Sequence, residues 1–388
     1  TSWDGSNPLG ASPVGKADVV NMGTINATSV EVVGKSIRFL NAADVHSSSV
    51  VMYTDTANDG TAHIGYKTTA PTSGYTVNGS AATTADNYYR LIGNAAEMSN
   101  INTTNLAGNY MLEDDIDMTG ITAPIGGNAY AAFTGKFDGN FYKIRNLNIT
   151  GVDHAALFGR TSGARIENLG VIAPTIAGNN TGLQVNTAGG IVGEATGNTV
   201  LKNVYVESGS ITGESGRFGG IVGYTKNTKI DSSYNTSPIT SDGGGIIGFS
   251  DTGTEVTNTS YNKPKSAVAG DSYFVRVIDP DDGTQIRNSY TTSNKFSLTH
   301  SFTLAKVSGN YIIDTSTGKA KPVIAGLTPS SDEYDAQSSS TYSGWDINNN
   351  GDPGATWRIY EGRTTPLLTA FMSGTATATY NYRYFNQD

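Results

Sequence analysis

Apolar residues along this chain come in short bursts that alternate with polar ones and stop at glycine, asparagine or a hydroxyl residue. In Ile144-Arg145-Asn146-Leu147-Asn148-Ile149, a strand of period two places Ile144 and Asn146 on one face, and Arg145 and Leu147 on the other. Few windows carry apolar residues at i, i+3, i+4 and i+7. The pattern predicts one short helix, over 95–101, and otherwise strand and turn.

One burst recurs. Ala155-Ala156-Leu157-Phe158-Gly159 is followed by Gly189-Gly190-Ile191-Val192-Gly193, Gly219-Gly220-Ile221-Val222-Gly223 and Gly244-Gly245-Ile246-Ile247-Gly248, with closing glycines 34, 30 and 25 residues apart. A second phrase trails each by seven or eight residues: Ile166-Glu167-Asn168-Leu169, Leu201-Lys202-Asn203-Val204, Ile230-Asp231-Ser232-Ser233, Val256-Thr257-Asn258-Thr259, with a degenerate fifth copy at Ile286-Arg287-Asn288. Periods in this range mark stacked repeats, because a unit this small cannot bury its own apolar face but can bury it against its neighbours. Two strands per repeat, stacked about 4.8 Å apart, predict an all-β chain folded as a parallel β-helix, a rod of roughly 60–70 Å with two open ends. The repeat glycines are expected at corners, where they allow positive φ and close approach of the next coil. Phosphate binding is disfavoured, since the phrase opens no helix and lacks the Gly-Lys-Ser or Gly-Lys-Thr ending of a P-loop.

The ends differ from the middle. Val19-Val20-Asn21-Met22-Gly23 and Val30-Glu31-Val32-Val33 read as narrower coils beginning near residue 18. The repeat decays after Asn262, with a surface turn at Asp279-Pro280-Asp281-Asp282-Gly283. The last section carries Trp345 and Trp357, then Thr375-Ala376-Thr377-Ala378-Thr379-Tyr380-Asn381-Tyr382-Arg383-Tyr384. Alternate tyrosines would line one face of a strand that must pair or stand as an exposed edge.

Composition narrows the function. Charged residues make up only 15% of 388, glycine numbers 47, and Ser, Thr and Asn fill most other polar positions, which predicts a neutral, hydroxyl-rich surface. A net charge of −9 without long runs of either sign disfavours a nucleic-acid partner. Cysteine is absent, so disulfides and thiolate chemistry are excluded. No apolar run is long enough for a membrane helix. The chain begins at Thr1 rather than Met and reads as a processed piece of something longer.

The stretch Leu106-Ala107-Gly108-Asn109-Tyr110-Met111-Leu112-Glu113-Asp114-Asp115-Ile116-Asp117, with Phe133-Thr134-Gly135-Lys136-Phe137-Asp138-Gly139-Asn140 after it, resembles the segment that introduces GLUG-motif repeats in large bacterial surface proteins. The Gly-Gly-Ile-Val-Gly phrases resemble the GLUG motif itself. Val20-Asn21-Met22-Gly23-Thr24-Ile25 and Trp357 to Leu368 are similar to passages in filamentous-hemagglutinin-like exoproteins of two-partner secretion. Two departures stand out: the first copy has Ala155-Ala156 for Gly-Gly, and no N-terminal secretion domain is evident. The resemblance implies a right-handed β-helix, exported and displayed at the bacterial cell surface or released as an adhesin or fibre component, and carries over no catalytic residue. It divides the chain into N-terminal coils and a connecting segment (1–104), GLUG-like repeats (105–262), degenerate coils (263–328) and a small C-terminal β extension (329–388).

Candidate chemistry is sparse. His46, His63, His154 and His300 are scattered, with no His-x-x-x-His and no metal-ligand spacing. In the run Glu113-Asp114-Asp115-Ile116-Asp117, Asp115 and Asp117 would share a strand face, near enough for a cation, but the resemblance places the run at a corner. Asp346-Ile347-Asn348-Asn349-Asn350-Gly351 begins like a calcium loop, yet its twelfth position is Trp357 where a carboxylate belongs. The expectation is no catalytic residue, no metal and no cofactor: a structural or adhesive rod built on Gly159, Gly189, Gly190, Gly193, Gly219, Gly220, Gly223, Gly244, Gly245 and Gly248. It self-associates into filaments through a terminal strand carrying Tyr380, Tyr382, Tyr384 and Phe385, and its surface ligand is unknown. The rivals are a polysaccharide-cleaving enzyme on the same fold and a carbohydrate-binding module using exposed Trp3, Trp345 and Trp357.

Overall fold

The computed structural model describes strand segments between residues 17 and 81 and most of 87–371; residues 1–16 and 372–388 lie outside the description, with shorter stretches of which 54–62, 264–272 and 294–306 are the longest. The described chain is all-β apart from an α-helix, Ala95–Thr104, and two single 3-10 turns. The helix begins where Asn94 Oδ1 accepts the Glu97 N–H, an N-cap that satisfies one orphan donor. No helix among the described residues is long and apolar enough to cross a membrane.

Twelve strands join edge to edge in one parallel ladder: Ala17–Met22, Ser29–Phe39, Ile64–Tyr66, Tyr88–Ile92, Asn109–Leu112, Lys136–Asp138, Arg165–Ile172, Thr199–Glu207, Thr228–Asp231, Glu255–Thr257, Gln285–Arg287 and Val307–Ser308. The recurring second phrase sets the register. Ile166 lies opposite Leu201, Leu201 opposite Ile230, Ile230 opposite Val256 and Val256 opposite Ile286; all five are fully buried. Each such side chain stabilises the stack by about 1.5–3 kcal/mol, and a slip of one residue would turn the column outward.

The Gly-Gly phrase makes a second ladder with two arms. His154–Ala155, Thr187–Gly189 and Arg217–Gly219 pair in parallel, as do Phe158–Ser162, Val192–Thr196 and Val222–Thr225, and both arms meet at Gly244–Ser250. Phe158, Val192, Val222 and Ile247 form its buried column.

Along the first ladder the chain bends at residues in the left-handed region. Asn168, Asn203, Ser232, Asn258 and Asn288, with φ between 50° and 53°, occupy the third position of each second phrase. Asparagine tolerates this conformation because its short amide can bond locally. Here the amides also bond along the stack: Asn203 Nδ2 donates to Asn168 Oδ1 at 3.1 Å, and Asn168 Nδ2 to Asp138 Oδ1 at 3.0 Å. The same device corrects the strand reading of Ile144–Ile149. Asn146 has φ 55° and ends the alternation, so Ile144 and Leu147 are both buried while Asn146 is exposed.

The hydroxyl-rich composition is only partly surface. Thr199, Thr225, Thr228, Ser250, Thr254 and Thr284 are buried at 0–2% exposure and bond across repeats, as in Thr254 to Thr225 and Ser250 with Thr284. Corners leave backbone and hydroxyl groups away from water, and each needs a partner.

At the C-terminal end, where an open end was expected, part of the stack is covered. Tyr311–Asp314 pairs with Tyr290–Thr291 on one side and, antiparallel, with Lys319–Ile324 on the other. Outward-facing Tyr205, Tyr234, Tyr290 and Tyr311 then receive the residues that follow. Tyr342 and Trp345 pack on Tyr311, Trp357 on Tyr290, and Phe371 meets both Tyr205 and Tyr234 at 5.0 Å. The chain thus runs back up the stack along an aromatic seam. Trp345 and Trp357, expected exposed, are buried at 7% and 0%; Trp3 lies outside the described residues.

Candidate functional site

The repeat glycines sit in a crease. None has positive φ, so the corner-conformation half of their expected role is corrected; the left-handed positions fall mainly to asparagine and to glycines outside the phrase, such as Gly163, Gly197 and Gly253. Their use is close approach. A Cβ on Gly190 would lie 2.6 Å from the Gly220 carbonyl, one on Gly193 2.6 Å from the Gly159 carbonyl and one on Gly223 2.7 Å from the Gly193 carbonyl. Gly189 and Gly219 face the Val192 and Val222 carbonyls of their own phrases, Gly245 faces the Tyr261 ring, and Gly248 the Phe218 backbone. Gly244 lies opposite Gly219 in the ladder. A side chain at Gly190, Gly193 or Gly223 would force neighbouring repeats apart, and one at Gly189 or Gly219 the two arms of its own phrase. Tyr380, Tyr382, Tyr384 and Phe385 lie outside the described residues.

The acidic run is occupied with holding turns. Asp115 accepts the Lys143 N–H at 2.9 Å and pairs with Arg145 at 3.0 Å, Asp117 accepts from Thr119, and Glu113 pairs with Lys67. Asp346 accepts the Thr356 N–H and hydroxyl at 2.8 and 3.0 Å. Among the described residues no three His, Asp or Glu side chains converge as a metal-binding group.

A buried polar node was not foreseen. His63 Nδ1 lies 2.8 Å from Asp138 Oδ2, its Nε2 lies 2.9 Å from the Tyr89 hydroxyl, and the two rings stack at 4.1 Å. Glu167 stands next to Asp138 across the ladder. Its Oε2 meets Arg165 at 3.1 Å, and its Oε1 is 3.7 Å from His63 Nε2, beyond hydrogen-bond reach. His63, Asp138 and Glu167 are 6%, 4% and 1% exposed. Aligning Phe137-Asp138 with Ile166-Glu167 would have revealed the carboxylate pair; nothing in the sequence links them to a histidine 75 residues away.

The node joins the N-terminal strands to the repeats at an electrostatic cost. The Glu167 carboxyl is pushed up by burial and then by the negative Asp138, while Arg165 and His63 pull it down less strongly. The folded protein therefore keeps that proton to higher pH than the unfolded chain. This contribution favours folding on the acid side and is lost as pH rises from the ordinary carboxylate value through the raised one. Chemical denaturation from about pH 4 to 7 should show the loss in the wild type, and Glu167→Gln should lack it, gaining stability relative to wild type toward neutral pH. Parallel curves for the two proteins would contradict this account.

No protein-family model matches the chain, and no curated protein is close enough to count as a relative. One solved structure, from Bacteroides ovatus and named "putative immunoglobulin A1 protease", aligns over 59% of this chain and 85% of its own at 16% identity, with a TM-score of 0.36. A likeness that distant bears on neither mechanism nor partner.

Proposed function

We propose that the chain is a right-handed parallel β-helix serving as a rigid rod in a bacterial extracellular or cell-surface protein, structural and adhesive rather than catalytic, and that it assembles head to tail. The observation that carries this reading is the unbroken register of twelve parallel strands, which at about 4.8 Å per step makes a body on the order of 55 Å long. Ala17–Met22 pairs only with Ser29–Phe39 among the described residues, and an end strand of a parallel ladder is where a further strand can join. The buried His63 node fits a tie between segments better than a catalytic centre, because a polymeric substrate must reach the reacting groups.

Seventeen residues follow Phe371, enough in extended form to span about 55 Å, so the tyrosine-rich segment can reach a neighbour's free edge. Such a contact is heterologous and propagates into a filament. Deleting residues 375–388 should abolish polymer while leaving the melting temperature within about 2 °C of wild type, since the parallel ladder and the aromatic seam up to Phe371 are kept. Polymers of the truncated protein, seen by sedimentation or electron microscopy, would sink the assembly mechanism.

A further inference from the structure

The outer face of the long ladder carries a buried strip. Leu91, Met111, Asp138 and Glu167 lie opposite one another in successive strands, on the side away from Ile92, Tyr110, Leu112 and Phe137, which fill the core. An outward face is ordinarily wet, yet Tyr89, Leu91 and Met111 are 0–2% exposed and form an apolar cluster of their own. His63 lies on this strip. Its ring stacks on Tyr89 at one end, and its Nδ1 stands 2.8 Å from Asp138 at the other.

The fastening at Glu167 is incomplete. Its Oε1 is buried without a hydrogen-bond partner, 3.7 Å from His63 Nε2, which meets the Tyr89 hydroxyl instead at 2.9 Å. Protonated, Glu167 is a neutral group whose burial is tolerable; ionised, it is a second negative charge beside Asp138 with one oxygen unsolvated. Displacing the His63 ring lets water reach that oxygen.

We propose that His63 is a pH-gated cover: it lies closed over Leu91 and Met111 on the acid side and swings away, hydrating Asp138 and Glu167, as pH rises toward and past neutrality. The titratable and charged groups facing it are Tyr89 from Tyr88–Ile92, Asp138 from Lys136–Asp138, and Glu167 with Arg165 from Arg165–Ile172. Beyond them, Lys136 stands opposite Arg165 and Lys202 opposite Glu167 in the ladder. Burial first, and Asp138 second, hold the Glu167 carboxyl above its ordinary value, against a smaller pull from Arg165 and His63. Hydration removes the larger of these effects, so ionisation favours the open form. The closed form is therefore fully favoured below the ordinary carboxylate value and loses ground as pH climbs through the raised one. Such a local two-state opening leaves the ladder itself paired, and it is independent of filament assembly.

The test uses the full chain, with methionine oxidation by hydrogen peroxide followed residue by residue by mass spectrometry. Met111 should oxidise about tenfold or more faster at about pH 8 than at about pH 5. Met98 and Met118, core residues at 0% and 1% exposure, are the internal controls and should stay protected at both. Glu167→Gln, which fixes the neutral form, should keep Met111 slow at both pH values, and His63→Ala, which removes the cover, should make it fast at both. A wild-type Met111 that is equally slow at both, a pH response that survives in Glu167→Gln, a Met111 still slow in His63→Ala, or core methionines that accelerate in step with Met111 would each overturn the proposal.

Discussion

Trp357→Ala should cost about 3–5 kcal/mol, the range for deleting a fully buried aromatic side chain, and should release the C-terminal segment before the repeats melt. Trp357 is completely buried, 4.9 Å from Trp345 and 5.9 Å from Tyr290 between ring centres. It therefore bridges the segment's own cluster and the outward tyrosine seam of the stack. Trp345, whose Nε1–H donates to the Gly309 carbonyl at 2.7 Å, would lose its packing partner in the same step. Hydrogen exchange should show protection vanishing across 334–371 while the second-phrase strands stay protected. A loss below about 1 kcal/mol, or a single cooperative loss of protection over the whole chain, would contradict the seam as the attachment.

Gly220→Ala should cost about 3 kcal/mol, at the upper end for overpacking a close-packed interior, although the backbone there suits alanine. The added methyl would fall inside contact distance of the Gly245 carbonyl and the Asn235 amide. Asn235 cannot yield easily, because Nδ2 donates to that same carbonyl at 2.8 Å and Oδ1 accepts the Ser237 N–H at 2.8 Å. Gly151→Ala is the contrasting case: φ is 73° with nothing within 4 Å of the new atom, so only the conformational term of about 1 kcal/mol applies. Urea denaturation of the two variants separates crowding from backbone strain. Equal losses would mean that the crease opens without resistance.

The recurrence of Ile166, Leu201, Ile230, Val256 and Ile286 made the stacking legible in the sequence, because a buried column needs one apolar residue per repeat at a fixed offset. The glycines were visible for the same reason, and of their two expected purposes close approach holds while positive φ does not: a repeated glycine signals φ or space, and only the opposing atoms decide. Asparagine, which takes the left-handed position in four of the five second phrases, was present there all along. Trp345 and Trp357 were misplaced because burial against an outward face depends on what folds back over that face. His63 was invisible for a related reason. Its partners Asp138 and Glu167 belong to other strands, and no local pattern brings residues so far apart in the chain together.

Cryo-electron microscopy of the purified full chain at neutral pH bears most directly on the central claim, a stacked rod that joins end to end. The account predicts filaments whose parallel strands repeat about every 4.8 Å along the axis, with a subunit repeat on the order of 55 Å. Single particles that never join lengthwise at any concentration, or filaments whose strands run along the axis instead of across it, would contradict it.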